Sequence, residues 1–248
     1  MNRYFYDLKY RLKSIRNLKI IIFMLVLING LIGGSIYFIY PVTYFNSLLL
    51  SLDNPFYPVI IFIILSYVAK ESLNNFDRHH PLVGRYKNRN QYLEGLLKQV
   101  LFDVITVFLI SLIILMSIRR IFFTGLPGIE NYIGYDIPDF IYFFFFIIRY
   151  FMIYILLIVT FILVSKSINK IAGIIYAFLI VMIFFVNWPV DTINHFSFDI
   201  FLVYVYTSLI SYPSFANEIC YSSLFLLFLM TSAYGLYYWV KKKQADIG

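Results

Sequence analysis

The sequence predicts an all-α membrane protein: six transmembrane helices, an amino-terminal amphipathic helix on the inner membrane surface, and an outer re-entrant hairpin before the last span. Three observations predict it. Of 248 residues, 61% are hydrophobic and 13% charged, the apolar residues gather into runs of span length, and Lys and Arg are concentrated in alternate connections. Soluble domains run at roughly 45–50% apolar and about 25% charged, so a water-soluble fold cannot hide this much apolar surface. A helical span takes about 20 largely apolar residues to cross a ~30 Å hydrocarbon core. The chain length therefore accommodates six spans with modest connections and no separate soluble domain. It reads as a single transmembrane domain over 1–248: an interfacial helix at 1–17, spans within 18–240 and a tail at 241–248.

The runs are Leu18–Tyr40, Phe56–Ala69, Val100–Ile118, Phe140–Val164, Ile171–Trp188 and Tyr221–Val240. Six basic residues, Arg3 to Lys19, lie before or at the very start of the first run, and Pro41–Pro55 contains none. The positive-inside rule then puts the amino terminus in the cytoplasm. The second connection (Lys70 to Lys98), the fourth (Lys166, Lys170) and the tail (Lys241, Lys242, Lys243) fall on that same side when spans alternate, so 17 of the 20 basic residues are cytoplasmic. Both termini are expected inside. Counting Ile200–Asn217 as a seventh span would expel the three tail lysines, so this uncharged stretch reads as a hairpin broken at Pro213, shielded by protein or a water-filled cavity. Before the first span, Tyr4, Leu8, Leu12 and Ile15 recur at helical spacing beside Lys9, Arg11 and Arg16. Such a segment lies along the headgroup boundary. The first run is longer than a signal-peptide core and lacks a small-residue cleavage site, so it is expected to remain in place.

Chemistry-bearing motifs are few. No Gly-Lys pair occurs, hence no phosphate-binding loop, and there is no G-x-G-x-x-G, H-E-x-x-H or G-x-S-x-G. His79 and His80 adjoin Asp77 in the second connection, where a solvated turn ending at Pro81 is expected; no metal site is. Cys220 stands alone and cannot form an internal disulfide. Two ionisable residues fall inside expected spans, where charge is costly and marks function or specific pairing. Asp103 lies near the cytoplasmic end of the third span. Arg149 lies about nine residues into the fourth, roughly 14 Å deep at about 1.5 Å per residue. At such different depths the two are not expected to pair; Arg149 either bonds carbonyls or Tyr hydroxyls between helices or lines a substrate path. The glutamates, Glu71, Glu94, Glu130 and Glu218, lie in or beside connections. That argues against an intramembrane metalloprotease.

The second connection carries the densest signal. Arg85-Tyr86-Lys87-Asn88-Arg89 runs into Tyr92, Leu93, Leu96 and Leu97, a basic turn opening an amphipathic helix that becomes the third span. With the basic helix Tyr4–Ile15, the six runs and the uncharged stretch Ile200–Asn217, the chain resembles the membrane subunits of type-2 ABC transporter permeases. The likeness is to the small separate-chain kind of Gram-positive antimicrobial-peptide export and immunity systems. It covers the whole chain, although Arg119–Asp139 is longer and more charged than that family's outer connection. The resemblance implies a subunit without its own ATPase site or cofactor, in a bacterial cytoplasmic membrane. Its implied partners are membrane lipids, a second permease, identical or homologous, and two copies of a separate ATPase that binds ATP. No nucleic acid is implied. Arg85, Tyr86, Lys87, Asn88, Arg89, Tyr92 and Leu96 would form the coupling segment, and an amphipathic peptide or lipid-like substrate would move outward. A non-transporting scaffold or immunity protein and a secondary transporter are the alternative readings.

Overall fold

The computed structural model describes residues 19–27, 44–53, 56–79, 89–122, 137–186 and 214–245, and no strand occurs among them. In chain order the helices are α1 (residues 19–27), α2 (Tyr44–Asp53), α3 (Phe56–His79), α4 (Arg89–Phe122), α5 (Asp139–Ser167), α6 (Lys170–Val186) and α7 (Phe215–Ala245). Four of them, α3, α4, α5 and α7, are long and apolar enough to cross a membrane, and α6 carries a shorter apolar stretch, Ile171–Val181. The expected interfacial helix with Lys9, Arg11 and Arg16, the turn Arg85–Asn88 and the stretch 200–213 lie outside the described residues.

The fold is organised around α5, which packs against α2, α3, α4, α6 and α7. Its start is set at Pro138, whose extended backbone ends the preceding segment and whose carbonyl accepts from the Ile141 and Tyr142 amides. Asp139 in the first turn and Lys166 in the last complement the helix dipole. Aromatic residues fill the middle: Phe146 stacks on Tyr150, Tyr150 lies 4.5 Å from Tyr154, and Phe62 and Phe108 reach these rings from α3 and α4. Tyr150, Tyr154 and Phe146 are fully buried.

α3 and α4 form an antiparallel hairpin joined at three levels. The Tyr57 and Ser111 hydroxyls meet at 3.0 Å near one end. Further along, Ser72 donates to the Asp103 carboxylate at 2.5 Å. Near the turn, Phe76 and Tyr92 meet edge to face at 5.3 Å. On α4 the residues Leu93, Leu96, Val100, Val104 and Val107 recur every three or four positions, and all are buried. That stripe is why a helix spanning 34 residues stays in register with its partner.

α5 turns back into α6 through Ile168 and Asn169, the Asn169 side chain accepting from the Ala172 amide at 2.7 Å. Gly173 is required there. A Cβ at that position would sit 1.8 Å from Ser165 Oγ and 2.9 Å from its Cβ, so only glycine lets the two helices approach this closely. Ser214 starts α7 by accepting from the Asn217 amide, a cap contribution of about 1 kcal/mol. As α7 advances from Phe215 to Ser222, its partners on α5 advance from Tyr142 to Arg149, so these two helices run parallel. With α6 antiparallel to α5, the end of α6 and the start of α7 lie on the same side of the bundle.

Several boundaries differ from the sequence reading. The connection Pro41–Pro55 contains helix α2, whose Ser47, Leu48, Leu49, Ser51 and Leu52 are buried. Ten residues are too few for a span, but the apolar face is paired with α3, α4 and α5. Arg119, expected in an outer connection, is in α4 and 1% exposed, donating to the Ser51 hydroxyl. Charges end an apolar run without ending the helix, which continues wherever its polar groups find partners. α3 likewise extends past its apolar run to His79, and α7 begins at Phe215, six residues before its apolar run. At this end of the bundle the Tyr44 hydroxyl donates to the Met116 carbonyl at 3.0 Å. Burial pushes that phenol above its ordinary range, partly offset by the Arg120 guanidinium.

Candidate functional site

Among the described residues, the strongest concentration of buried charge is where α5 meets the first turn of α7. Arg149, ten residues into α5, is 2% exposed, and Glu218 is fully buried. Arg149 Nη1 lies 2.5 Å from Glu218 Oε1. Tyr142 donates to the same oxygen at 2.8 Å, and Ser222 stands 3.4 Å from Arg149 Nη1. The guanidinium carbon lies 4.9 Å from the Phe146 ring centroid and 5.6 Å from that of Phe145. Glu218 Oε2 has no hydrogen-bond partner among the described residues.

This geometry follows from helical spacing. Tyr142, Phe145, Phe146 and Arg149 lie three or four residues apart and share one face of α5, while Glu218 and Ser222 are one turn apart on α7. A lone buried cation would cost several kcal/mol; the carboxylate and the ring faces offset that cost. The arrangement holds α7 to α5 at a defined level. About ten residues at about 1.5 Å each put Arg149 some 15 Å along α5, in agreement with the sequence reading. Its partner is a carboxylate, however, not the expected carbonyls or Tyr hydroxyls alone. Glu218 was placed at a connection because the last apolar run begins at Tyr221. The available signal was Pro213-Ser214, a chain break followed by a cap residue, which starts the helix early and brings Glu218 inside it.

Asp103 does not join this site. It is buried on α4 and tied to Ser72 of α3. At the basic end of the α3–α4 hairpin, Arg89 opens α4, and Tyr92 is half-buried against Phe76, with Lys166 Nζ 5.8 Å from its ring centroid. Leu96 is fully buried in the chain's own core. Its side chain is therefore not presented to a partner in this arrangement; Gln91, Glu94 and Lys98 are on the exposed face of α4. No group of three or more His, Cys, Asp or Glu suited to a metal ion occurs among the described residues.

Compared with protein families, curated proteins and solved structures, the chain gives no match.

Proposed function

We propose that the chain is the membrane-spanning permease subunit of an ATP-driven exporter, energised by a separate ATPase that docks at the basic end of the α3–α4 hairpin. The observation that carries this reading is the continuity of α4. It is 34 residues long, about 51 Å at about 1.5 Å per residue, whereas a bilayer core is ~30 Å thick. A single rod thus runs from Arg89, at the edge of the basic turn, through the bundle to buried Arg119. Three ties to α3 make the pair stiff, so a force applied at the basic end is delivered to the far end instead of being absorbed. Arg85, Lys87 and Arg89 supply charge for an acidic partner surface, and Tyr92 braces the hairpin from within.

The parallel course of α5 and α7 supports six spans over seven, with α6 as the return crossing and 200–213 as part of an outer re-entrant hairpin. Both ends then lie in the cytoplasm of a bacterial cell, as the Lys and Arg distribution requires. A second permease would complete the path, and an amphipathic peptide or lipid-like molecule suits the apolar surfaces of α6 and α7.

The test is affinity purification of the tagged chain from its native membranes. A co-purifying polypeptide with a phosphate-binding loop is expected, with ATP hydrolysis in the complex and none in the isolated chain. Arg89→Glu, at matched membrane levels, is expected to lose that polypeptide, because reversing a charge at an interface opposes its partner by several kcal/mol. Co-purification of no ATPase, or equal recovery by Arg89→Glu, overturns the proposal.

A further inference from the structure

At the opposite end of α5 from the Arg149 side, α3, α5 and α6 line a small, partly open cavity of about 40 Å³. Lys70 and Asn74 reach it from α3, and Ser165 and Lys166 from the end of α5. Phe161 and Ile174 contribute apolar walls, and no acidic side chain lines it among the described residues. Two lysines from different helices, with an asparagine and a serine, bring donors for an anionic oxygen cluster to a lining that is otherwise mostly apolar. The size suits the two free oxygens of a phosphodiester in place of a few waters.

What lies beside the cavity defines the rest of the ligand. From Ile174, α6 presents Ile171, Ile175 and Phe178 outward, each more than half exposed. That apolar strip begins at the basic pocket and leads away from it along a helix of span-like composition. A free anion would use the pocket and leave the strip unused. A ligand with a charged head and a hydrocarbon chain uses both.

We propose that this cavity binds the phosphodiester headgroup of an anionic glycerophospholipid, with an acyl chain laid along α6. Basic pockets between helices at the cytoplasmic boundary attract such headgroups. The proposal needs the chain to be in a membrane and does not depend on the transport reading. It has a mechanical corollary, since Lys166 faces both the cavity and the Tyr92 ring. Headgroup occupancy would fix the ammonium that rests on the hairpin's innermost tie.

The purified full chain in uncharged micelles is titrated with phosphatidylglycerol, with phosphatidylcholine of the same acyl chains, or with inorganic phosphate, and its thermal midpoint followed. A saturable rise with phosphatidylglycerol, absent with the other two, is expected. Lys70→Gln with Lys166→Gln should raise the half-saturating lipid fraction about 25-fold, at about fivefold per basic residue, while Lys242→Gln, on the exposed end of α7, leaves it unchanged. Ile174→Trp, which fills the cavity and keeps both lysines, should abolish saturation, and it decides the matter if the double variant does not yield monodisperse protein. Equal responses to the two lipids, or an unaltered response of Ile174→Trp or of the Lys70→Gln and Lys166→Gln double variant, overturns the site. A matching rise with inorganic phosphate overturns the lipid as its occupant.

Discussion

The α3–α4 hairpin and the α5–α7 pair solve helix association in opposite ways. The hairpin is fastened from end to end, through Tyr57 and Ser111, Ser72 and Asp103, and Phe76 and Tyr92. The most strongly charged tie between α5 and α7 is one cluster around Arg149 and Glu218, near the start of α7. Within each pair one helix is the more buried: 56% of the apolar stretch of α3 against 33% of that of α4, and 50% for α5 against 17% for α7. Distributed, mostly neutral ties make a stiff unit that tolerates the loss of any one. A single ion pair inside an apolar bundle makes a fixed point, and beyond it α7 buries Phe225, Ala233 and Val240 while leaving Leu224, Leu227 and Phe228 exposed. Helices in lipid gain little from apolar contact with one another, so polar ties decide where they are held.

The comparison can be broken most directly at Glu218. Glu218→Ala leaves a buried guanidinium without its carboxylate and is expected to cost about 3–5 kcal/mol, read as a lower unfolding midpoint of the purified protein. Adding Arg149→Met should recover most of that loss, because an apolar pair of similar volume carries no desolvation penalty. An unchanged midpoint in Glu218→Ala would mean that α7 is held elsewhere. In the hairpin, Ser72→Ala removes one donor from a buried carboxylate, for which about 1.5–3 kcal/mol is expected. The other two ties should keep α3 and α4 together, so cross-linking between cysteines placed at 60 and 112 should persist in this variant. The smallest effect is expected from Ser222→Ala. At 3.4 Å from Arg149 its hydroxyl is at the limit of a hydrogen bond, and the midpoint should move by less than about 0.5 kcal/mol equivalent.

Hydropathy and charge alternation made much of the bundle legible. The second, third, fourth and sixth runs each lie within a helix long and apolar enough to span, and Arg149 is inside the helix that contains the fourth run. What escaped was governed by local polar partners. Glu218 and Arg119 were assigned to connections because each closes or precedes an apolar run, yet both are in helices where the other chain segment supplies Arg149 or Ser51. Helix α2 was missed because ten residues give a weak periodic signal, although Leu48, Leu49 and Leu52 already share a face. Leu96 was read as a docking residue because it stands near the basic turn. Its place in the stripe from Leu93 to Val107 was the better guide, since that spacing marks the buried face.

Two residues past Glu218, on the exposed side of α7, is the protein's single thiol, Cys220. The chain therefore carries its own attachment point for a probe beside the fully buried Glu218. Maleimides react with the thiolate, which forms in water and not in hydrocarbon, so labelling of the unaltered protein reports whether that face meets solvent, acyl chains or a neighbouring subunit. The same label, attached once and at one position, follows any rotation of α7 about its anchor.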